Sequence, residues 1–265
     1  MEYKTENQIP YNKYDKINIY LTGFGPFLTV KENPSEKISS YLFQNNSKLN
    51  TESTFIIYNQ IFEVNSVYID NNISKLFDII NKNKINNEND NILHVIISLG
   101  VAESRDVNTL EIRGQNYIYD RIVDKKIDEN KPDNYFSKNP VKYIIKGIQN
   151  YKNSECKFSN DAGTYLCNYM YFTTLTKCFD EKNICSFFLH VPKLENYSMD
   201  KQVLFFKNFI DVLESLYLKG NESKMKSLLE LEINEEDEHI DEWIKNKEIK
   251  NKKDDDNNEE KGEEE

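Results

Sequence analysis

The chain has 265 residues, of which 34 are basic and 45 acidic, giving a formal net charge of −11 at pH 7. Residues 221–265 alone contain 8 basic and 18 acidic side chains, so the rest of the chain is close to neutral. A body without a basic excess is not drawn to nucleic acid or to an anionic membrane, and 38% hydrophobic residues is enough for a packed core.

No apolar run approaches the roughly 20 residues that a membrane span needs, and the first fifteen residues lack the apolar stretch of a signal peptide. We therefore expect a cytoplasmic protein without a membrane partner, whose four cysteines are reduced. The sequence leaves its oligomeric state open.

Short apolar or β-branched runs alternate along the chain with segments of helical periodicity. The predicted strands cover residues 17–22, 55–60, 92–99, 156–159 and 184–190. The predicted helices cover residues 34–44, 64–83, 139–150, 165–179 and 200–219. Asn33 is a suitable N-cap for the first helix, which has Pro34 at its first position. Repetition of strand and helix predicts a layered α/β fold with a largely parallel sheet.

Glycine is scarce, and four of the eight glycines fall at or just after predicted strand ends. They are Gly23 and Gly25 in GFGPF, Gly100 in SLGVAES and Gly163 in NDAGTYLC. Ligand sites of α/β sheets collect at the carboxyl ends of the strands, where glycine allows the backbone to approach a ligand or turn tightly. These segments are the first candidates for a functional site.

Cys167 lies in the first turns of the predicted helix 165–179. The positive end of a helix dipole stabilises a thiolate, so this cysteine is a candidate nucleophile. The alternative is a buried thiol that packs beside Leu166 and Met170.

A nucleophilic cysteine needs a base, and the chain has three histidines. His239 lies in the acidic tail, and His94 lies inside an apolar strand, where a hydrogen-bonded core histidine is expected. His190 ends a predicted strand and is the candidate base, although it too could be structural.

A third group usually orients the imidazole of such a pair. Glu111 in TLEIRG is one candidate, but the sequence by itself favours a surface glutamate paired with Arg105 or Arg113. Phe24 and Phe27 flank the stiff turn of GFGPF, and their rings could line an apolar pocket or pack in the core.

Together these motifs resemble the pyroglutamyl peptidase I family of cysteine peptidases, also called pyrrolidone-carboxyl peptidases. The resemblance rests on LTGFGPF (21–27), NPS (33–35), TLE (109–111), DAGTYLCNY (161–169) and HVP (190–192), in that order. It covers about residues 16–219, and DAGTYLCNY is its most specific part.

The resemblance implies a three-layer α/β/α sandwich with a mostly parallel, mixed sheet, which removes N-terminal pyroglutamate from peptides without a metal or organic cofactor. Cys167 corresponds to the nucleophile, His190 to the general base and acid, and Glu111 to the residue that orients the imidazole. The substrate-binding positions are Phe24, Phe27, Val101 and Leu166. Arg121 matches a basic residue of some members, and its role stays open.

The expected division is a catalytic domain at residues 1–220 and an acidic tail at 221–265, partly helical and partly disordered. One departure from the family is Ser98, where many members have histidine. Two alternatives therefore remain. One is a non-catalytic binder of pyroglutamyl N-termini, or an interaction protein that uses the tail. The other is a cysteine hydrolase of the same fold that accepts a different acyl group.

Overall fold

The computed structural model describes residues 9–27, 30–86, 91–120, 123–137, 139–152 and 154–231. Arg121 and most of the acidic tail, residues 232–265, lie outside the described residues. The strands are β1 (Lys16–Phe24), β2 (Thr54–Phe62), β3 (Ile92–Val101), β4 (Asn108–Glu111), β5 (Arg113–Gln115), β6 (Ile118–Asp120), β7 (Val123–Lys125), β8 (Asn134–Phe136), β9 (Cys156–Ser159) and β10 (Ile184–Val191). The helices are α1 (Pro34–Gln44), α2 (Ser66–Asn86), α3 (Val141–Gln149), α4 (Leu166–Cys178), α5 (Met199–Tyr217) and α6 (Glu222–Leu229).

The central sheet has six strands in the order β2-β1-β3-β10-β4-β9. The first four are parallel, whereas β4 runs antiparallel to β10 and parallel to β9. The predicted mixed, mostly parallel sheet is therefore confirmed. All ten predicted elements are present, with ends that differ by at most three residues, but β4 to β8 and α6 were not among them.

Helices cover both faces of the sheet, because alternate residues of each strand point to opposite sides. Ile17, Ile19 and Leu21 of β1 share one apolar cluster with α1, α3, α5 and α6. Tyr20 and Phe24 of the same strand point to the other side, into clusters that α2 and α4 complete. The result is an α/β/α sandwich in which the central strands are buried on both faces.

The predicted N-cap of α1 is confirmed, since the Asn33 side chain accepts a hydrogen bond from the Ser35 amide at 3.0 Å. At the other end of the chain, α6 packs against the sandwich through the buried Leu228, whose Cδ1 lies 2.7 Å from the position of a Cβ added at Gly147 in α3. The first residues of segment 221–265 therefore contact the core. The domain boundary at residue 220 stays a prediction.

Two small antiparallel ribbons, β5 with β8 and β6 with β7, lie beyond the central sheet. Gly114 of β5 lies so close to α4 that an added Cβ would be 2.6 Å from the Phe172 Cα. None of the helices in the described ranges combines the length and the apolar character that crossing a bilayer requires.

Candidate active site

The candidate site lies at the carboxyl ends of β3 and β10, where the first turn of α4 approaches the sheet. Gly100 of β3 pairs in register with His190 of β10. A Cβ added at Gly100 would lie 2.9 Å from the Cys167 Sγ, so the absence of a side chain at residue 100 lets the thiol reach the sheet surface. Cys167 is partly exposed, whereas the other three cysteines are buried.

Glu111 ends β4, the strand next to β10. Its Oε1 lies 2.7 Å from the Nδ1 of His190, and both side chains are buried. Because Nδ1 binds the carboxylate, Nε2 is the ring nitrogen left to interact with Cys167, whose thiol acts on the pKa of the ring. The structure thus brings Cys167, His190 and Glu111 together at one site.

The pKa of His190 is raised from 6.5 to about 9. Burial, the largest single influence, disfavours the charged ring, but hydrogen bonds to Cys167 and Glu111 and the negative charges of both partners together outweigh it. The environment of His190 therefore favours the protonated ring beside Cys167.

Arg105 also lies beside Glu111. Its Nη2 is 3.8 Å from Oε1 of the carboxylate and donates a hydrogen bond to the Ser159 Oγ at 3.0 Å. Among the described residues, Oε2 of Glu111 has no hydrogen-bond partner. The buried carboxylate thus has positive charge on two sides.

The predicted substrate-binding residues divide into two groups. Phe24 and Leu166 pack in the same apolar cluster as Cys167. Phe27 and Val101 lie outside that cluster: Phe27 is half-buried and bonded through its backbone to Val30, and Val101 is the half-buried last residue of β3. An apolar wall therefore adjoins the thiol on the side of Phe24 and Leu166.

Comparison with known proteins agrees with this geometry. The sequence profile of the pyroglutamyl peptidase family matches residues 17–205. The chain belongs to this family. It is thereby a cysteine-type hydrolase that acts on peptide bonds.

Relatives of this pyroglutamyl peptidase family member come from bacteria and archaea. The chain is 30% identical to the pyrrolidone-carboxylate peptidase of Oceanobacillus iheyensis over 196 residues, which is 70% of this chain and 88% of the relative. It is 32% identical to a pyrrolidone-carboxylate peptidase of Saccharolobus islandicus over 190 residues, 69% of this chain and 82% of the relative.

Solved structures share the fold. The pyrrolidone carboxyl peptidase of Thermococcus litoralis superposes with a TM-score of 0.60 at 23% identity, covering 75% of this chain and 94% of that one. The corresponding enzyme of Fervidobacterium islandicum gives a TM-score of 0.61 at 22% identity, covering 76% and 100%.

Hydrogen bonds that sequence reasoning did not predict hold the Phe24 turn of this family member in place. The side-chain Nδ2 of Asn33 donates to the Gly25 carbonyl at 3.0 Å, and the Ser35 Oγ accepts from the backbone amide of Phe24 at 3.0 Å. The residues that cap α1 thus also fix the turn that presents Phe24. The predicted N-cap at Asn33 was the available signal, but it contained no information about its second partner.

Asn168, which follows Cys167, was also missed. It is fully buried, accepts from the Gln115 amide at 2.8 Å, and donates to the carbonyls of Gln115 and Tyr117 at 2.8 and 2.7 Å. It therefore attaches the segment after β5 to the helix turn that presents the thiol. Only the motif DAGTYLCNY marked this position in the sequence.

The other residues discussed from sequence lie apart from the thiol. His94 is buried near the amino end of β3, with its Nδ1 2.9 Å from the Tyr20 hydroxyl oxygen, as expected of a core histidine. Ser98 is fully buried two residues before Gly100, and its Oγ has no hydrogen-bond partner among the described residues.

A polar cleft of about 360 Å³ lies at the other end of the strands, where β1 and β2 begin. Its lining includes Tyr14, Asp15 and Ser53, which precede β1 and β2. None of the predicted site residues borders this cleft, so it has no part in the chemistry of Cys167 and His190.

Proposed function

We propose that this chain removes the N-terminal pyroglutamyl residue from peptides through an acyl-thioester on Cys167, with His190 as base and acid and Glu111 as the residue that orients His190. The observation that supports this most directly is the 2.7 Å contact of the His190 Nδ1 with Glu111 Oε1 beside the Cys167 thiol, which lies against Gly100, the residue paired with His190. Arrangement of a nucleophile, a base and an orienting carboxylate is the general requirement of such acyl transfer.

In the first step, the Cys167 thiolate attacks the pyroglutamyl carbonyl carbon and forms a carbon–sulfur bond. The carbonyl oxygen takes up the displaced electron pair and becomes an oxyanion. Backbone N–H groups in the first turn of α4, including that of Cys167, have no acceptor within the helix and can stabilise this charge.

In the second step, the tetrahedral intermediate breaks its carbon–nitrogen bond, and the His190 imidazolium protonates the departing peptide amine. The neutral imidazole then accepts a proton from water, which attacks the thioester. Pyroglutamate leaves with the water oxygen, and the proton held by His190 restores the thiolate–imidazolium pair. Glu111 keeps the Nδ1 side of the ring fixed throughout.

Selectivity for pyroglutamate follows from the character of the wall beside the thiol. Phe24 and Leu166 are apolar, and a pyroglutamyl lactam is neutral, so it can be buried there once its N–H and C=O meet backbone groups. An ordinary charged N-terminus would lose its hydration without gaining a partner. The four cysteines are reduced, which is also in keeping with a reducing compartment such as the cytoplasm.

The direct test is release of aminocoumarin from pyroglutamyl-aminomethylcoumarin by the purified full-length chain in reducing buffer. We expect turnover in the native protein and none in Cys167→Ala. Prolyl-aminomethylcoumarin, which has the same ring size but a charged amine, should not be cleaved.

Cys156→Ala is the matched control, because Cys156 is a buried thiol whose pKa burial raises to about 12 and which lies outside the site. This variant should retain activity. Absence of thiol-dependent release by the native protein would contradict the proposal, and equal cleavage of the prolyl substrate would favour a hydrolase with another acyl specificity.

A further inference from the structure

Arg105 lies beside Glu111, in the loop between β3 and β4. Its Nη2 is 3.8 Å from Oε1, the same oxygen that binds the His190 Nδ1 at 2.7 Å. The guanidinium is held there by a hydrogen bond to the Ser159 Oγ at 3.0 Å, and the Arg105 amide donates to the Ala102 carbonyl at 3.0 Å. Both ends of the residue are therefore anchored.

The carboxylate that Arg105 faces is fully buried, and one of its oxygens has no hydrogen-bond partner among the described residues. Burial of a carboxylate in that condition is costly unless positive charge compensates it. His190 provides such charge only while its ring is protonated. In the steps of the reaction where the ring is neutral, Arg105 is a cation beside Glu111 that cannot lose its charge.

Other groups also face Glu111. Arg113 adds positive charge near the carboxylate, while its Nε donates to the Asn160 carbonyl and its Nη1 to the Asn134 Oδ1, each at 2.7 Å. From α4, the Tyr171 hydroxyl donates to the Glu111 backbone carbonyl at 2.8 Å rather than to the carboxylate. The remaining titratable group at the site is the Cys167 thiol, which interacts with His190.

We propose that Arg105 is a positioning residue: its fixed charge holds the Glu111 carboxylate against His190 and adds to the field at the pair, and thereby sets the pH range in which Cys167 and His190 work together. This inference rests on the proposed function only for the roles of Cys167 and His190. It assigns to Arg105 a part in the reaction that needs no contact with the substrate: Arg105 positions Glu111 and adds positive charge near the pair.

Removal of a fixed positive charge makes every nearby group bind its proton more tightly. Both limbs of the pH–activity profile should therefore move to higher pH together. For a charge 3.8 Å from the carboxylate and about one third exposed, we expect a shift of roughly 0.5 to 1 pH unit. A purely structural loss would lower the rate without moving either limb.

The experiment compares Arg105→Met, Arg105→Gln and Arg105→Lys in the full chain. The readouts are the pH dependence of kcat/KM with pyroglutamyl-aminomethylcoumarin and the pH dependence of Cys167 alkylation by iodoacetamide. The Met and Gln variants should shift both profiles upward, and Lys, which keeps the charge, should largely restore them. The Gln variant keeps a donor for Ser159, so it carries the comparison if the Met variant does not fold.

Lys193→Met is the matched control, because Lys193 follows β10 closely but pairs with Glu103 on the surface, with its Nζ 3.1 Å from Oε1. It removes the same charge and should shift neither profile. Unshifted profiles in Arg105→Gln, or an equal shift in Arg105→Lys, would overturn the proposal. Alkylation does not require turnover, so failure of the proposed function and failure of this inference give different results.

Discussion

At residue 111, a carboxylate is fully buried and still accepts only one hydrogen bond among the described residues, from the His190 ring. Burial of a charge with so few partners lowers the stability of the fold, so a function that needs the charge is the expected reason for keeping it. We expect its task to be electrostatic, since the negative charge of Glu111 is one of the causes that raise the pKa of His190 to about 9. In the proposed mechanism the same imidazolium later protonates the leaving amine.

Glu111→Gln tests this task, because glutamine keeps the size and can accept from Nδ1 but has no charge. The pKa of His190 should fall, so the basic limb of kcat/KM, expected near pH 9 in the native enzyme, should move to lower pH. We expect kcat to fall roughly 10²- to 10⁴-fold. Steady-state kinetics across pH 5 to 10 measures both effects.

The control for that variant is Glu103→Gln, which removes an exposed carboxylate that pairs with Lys193. It should leave both the rate and the pH profile unchanged. If Glu111→Gln lowered kcat with the basic limb in its original place, Glu111 would have a steric role rather than an electrostatic one.

At the scale of elements, the site depends on how closely the first turn of α4 approaches β3. An added Cβ at Gly100 would lie 2.9 Å from the Cys167 Sγ and equally close to the Phe188 Cζ. Real Cβ atoms do not sit at such distances from other heavy atoms, so either the helix or the Phe188 ring must move. Packed elements resist such movement, which ties the position of the thiol to a single glycine.

Gly100→Ala should therefore move the thiol away from His190. We expect kcat/KM to fall roughly 10- to 100-fold, since small displacements of a nucleophile cost this much, together with a loss of about 1 to 3 kcal/mol in unfolding free energy. Kinetics with pyroglutamyl-aminomethylcoumarin and urea unfolding measure the two effects separately.

Gly147→Ala gives the comparison. An added Cβ there would meet Leu228 Cδ1 at 2.7 Å and Val212 Cγ2 at 2.9 Å, in the opposite helix layer. It should lower stability to a similar degree while leaving the activity of the folded protein unchanged. Equal activity losses in both variants would show that general destabilisation, and not the position of the thiol, explains the Gly100 result.

Elements with long periodic patterns could be predicted from sequence, and β4 could not. Cys167 and His190 were found because each ends or begins a long element, and long elements end where ligand sites form. Glu111 lies in a four-residue strand whose antiparallel place beside β10 is fixed by long-range pairing. Its sequence alone did not distinguish it from a surface glutamate, and the assignment came from the family resemblance.

The family, the fold class and the peptidase activity were predicted correctly, and the comparisons confirm them. The roles of the seven site residues and the division at residue 220 stay predictions. Arg105 appeared in the sequence only as one of two surface partners for Glu111. The hydrogen bond from Arg105 to Ser159 joins residues 54 positions apart, so no local pattern revealed what holds the guanidinium beside Glu111.

At the scale of the whole molecule, two buried histidines lie on the same face of the sheet, one near the carboxyl ends of the strands and one near their amino ends. Their pKa values are shifted in opposite directions. His190 near the carboxyl edge has negative partners and a raised pKa. Burial lowers the pKa of His94 near the amino edge to about 4, and the positive charge of Lys84 adds to this, against a smaller opposing effect of Glu181. The raised pKa of His190 stabilises the fold below pH 6.5, and this contribution is lost as pH rises through about 9.

His94 should therefore weaken the fold in mild acid. Below pH 6.5 the unfolded chain binds a proton at His94 that the folded chain does not bind until about pH 4, so the free energy of unfolding falls as pH drops through this window. From pH 7 to pH 5 the loss due to His94 should be on the order of 2 kcal/mol. Urea unfolding of native protein and His94→Gln at both pH values measures this loss, and the variant should lose less stability on acidification.

Tyr20→Phe is the control, because it removes the hydroxyl that lies 2.9 Å from Nδ1 but keeps the imidazole. It should lose stability at both pH values and retain the native pH dependence. If native protein and His94→Gln lost the same stability between pH 7 and pH 5, His94 would not be the group responsible.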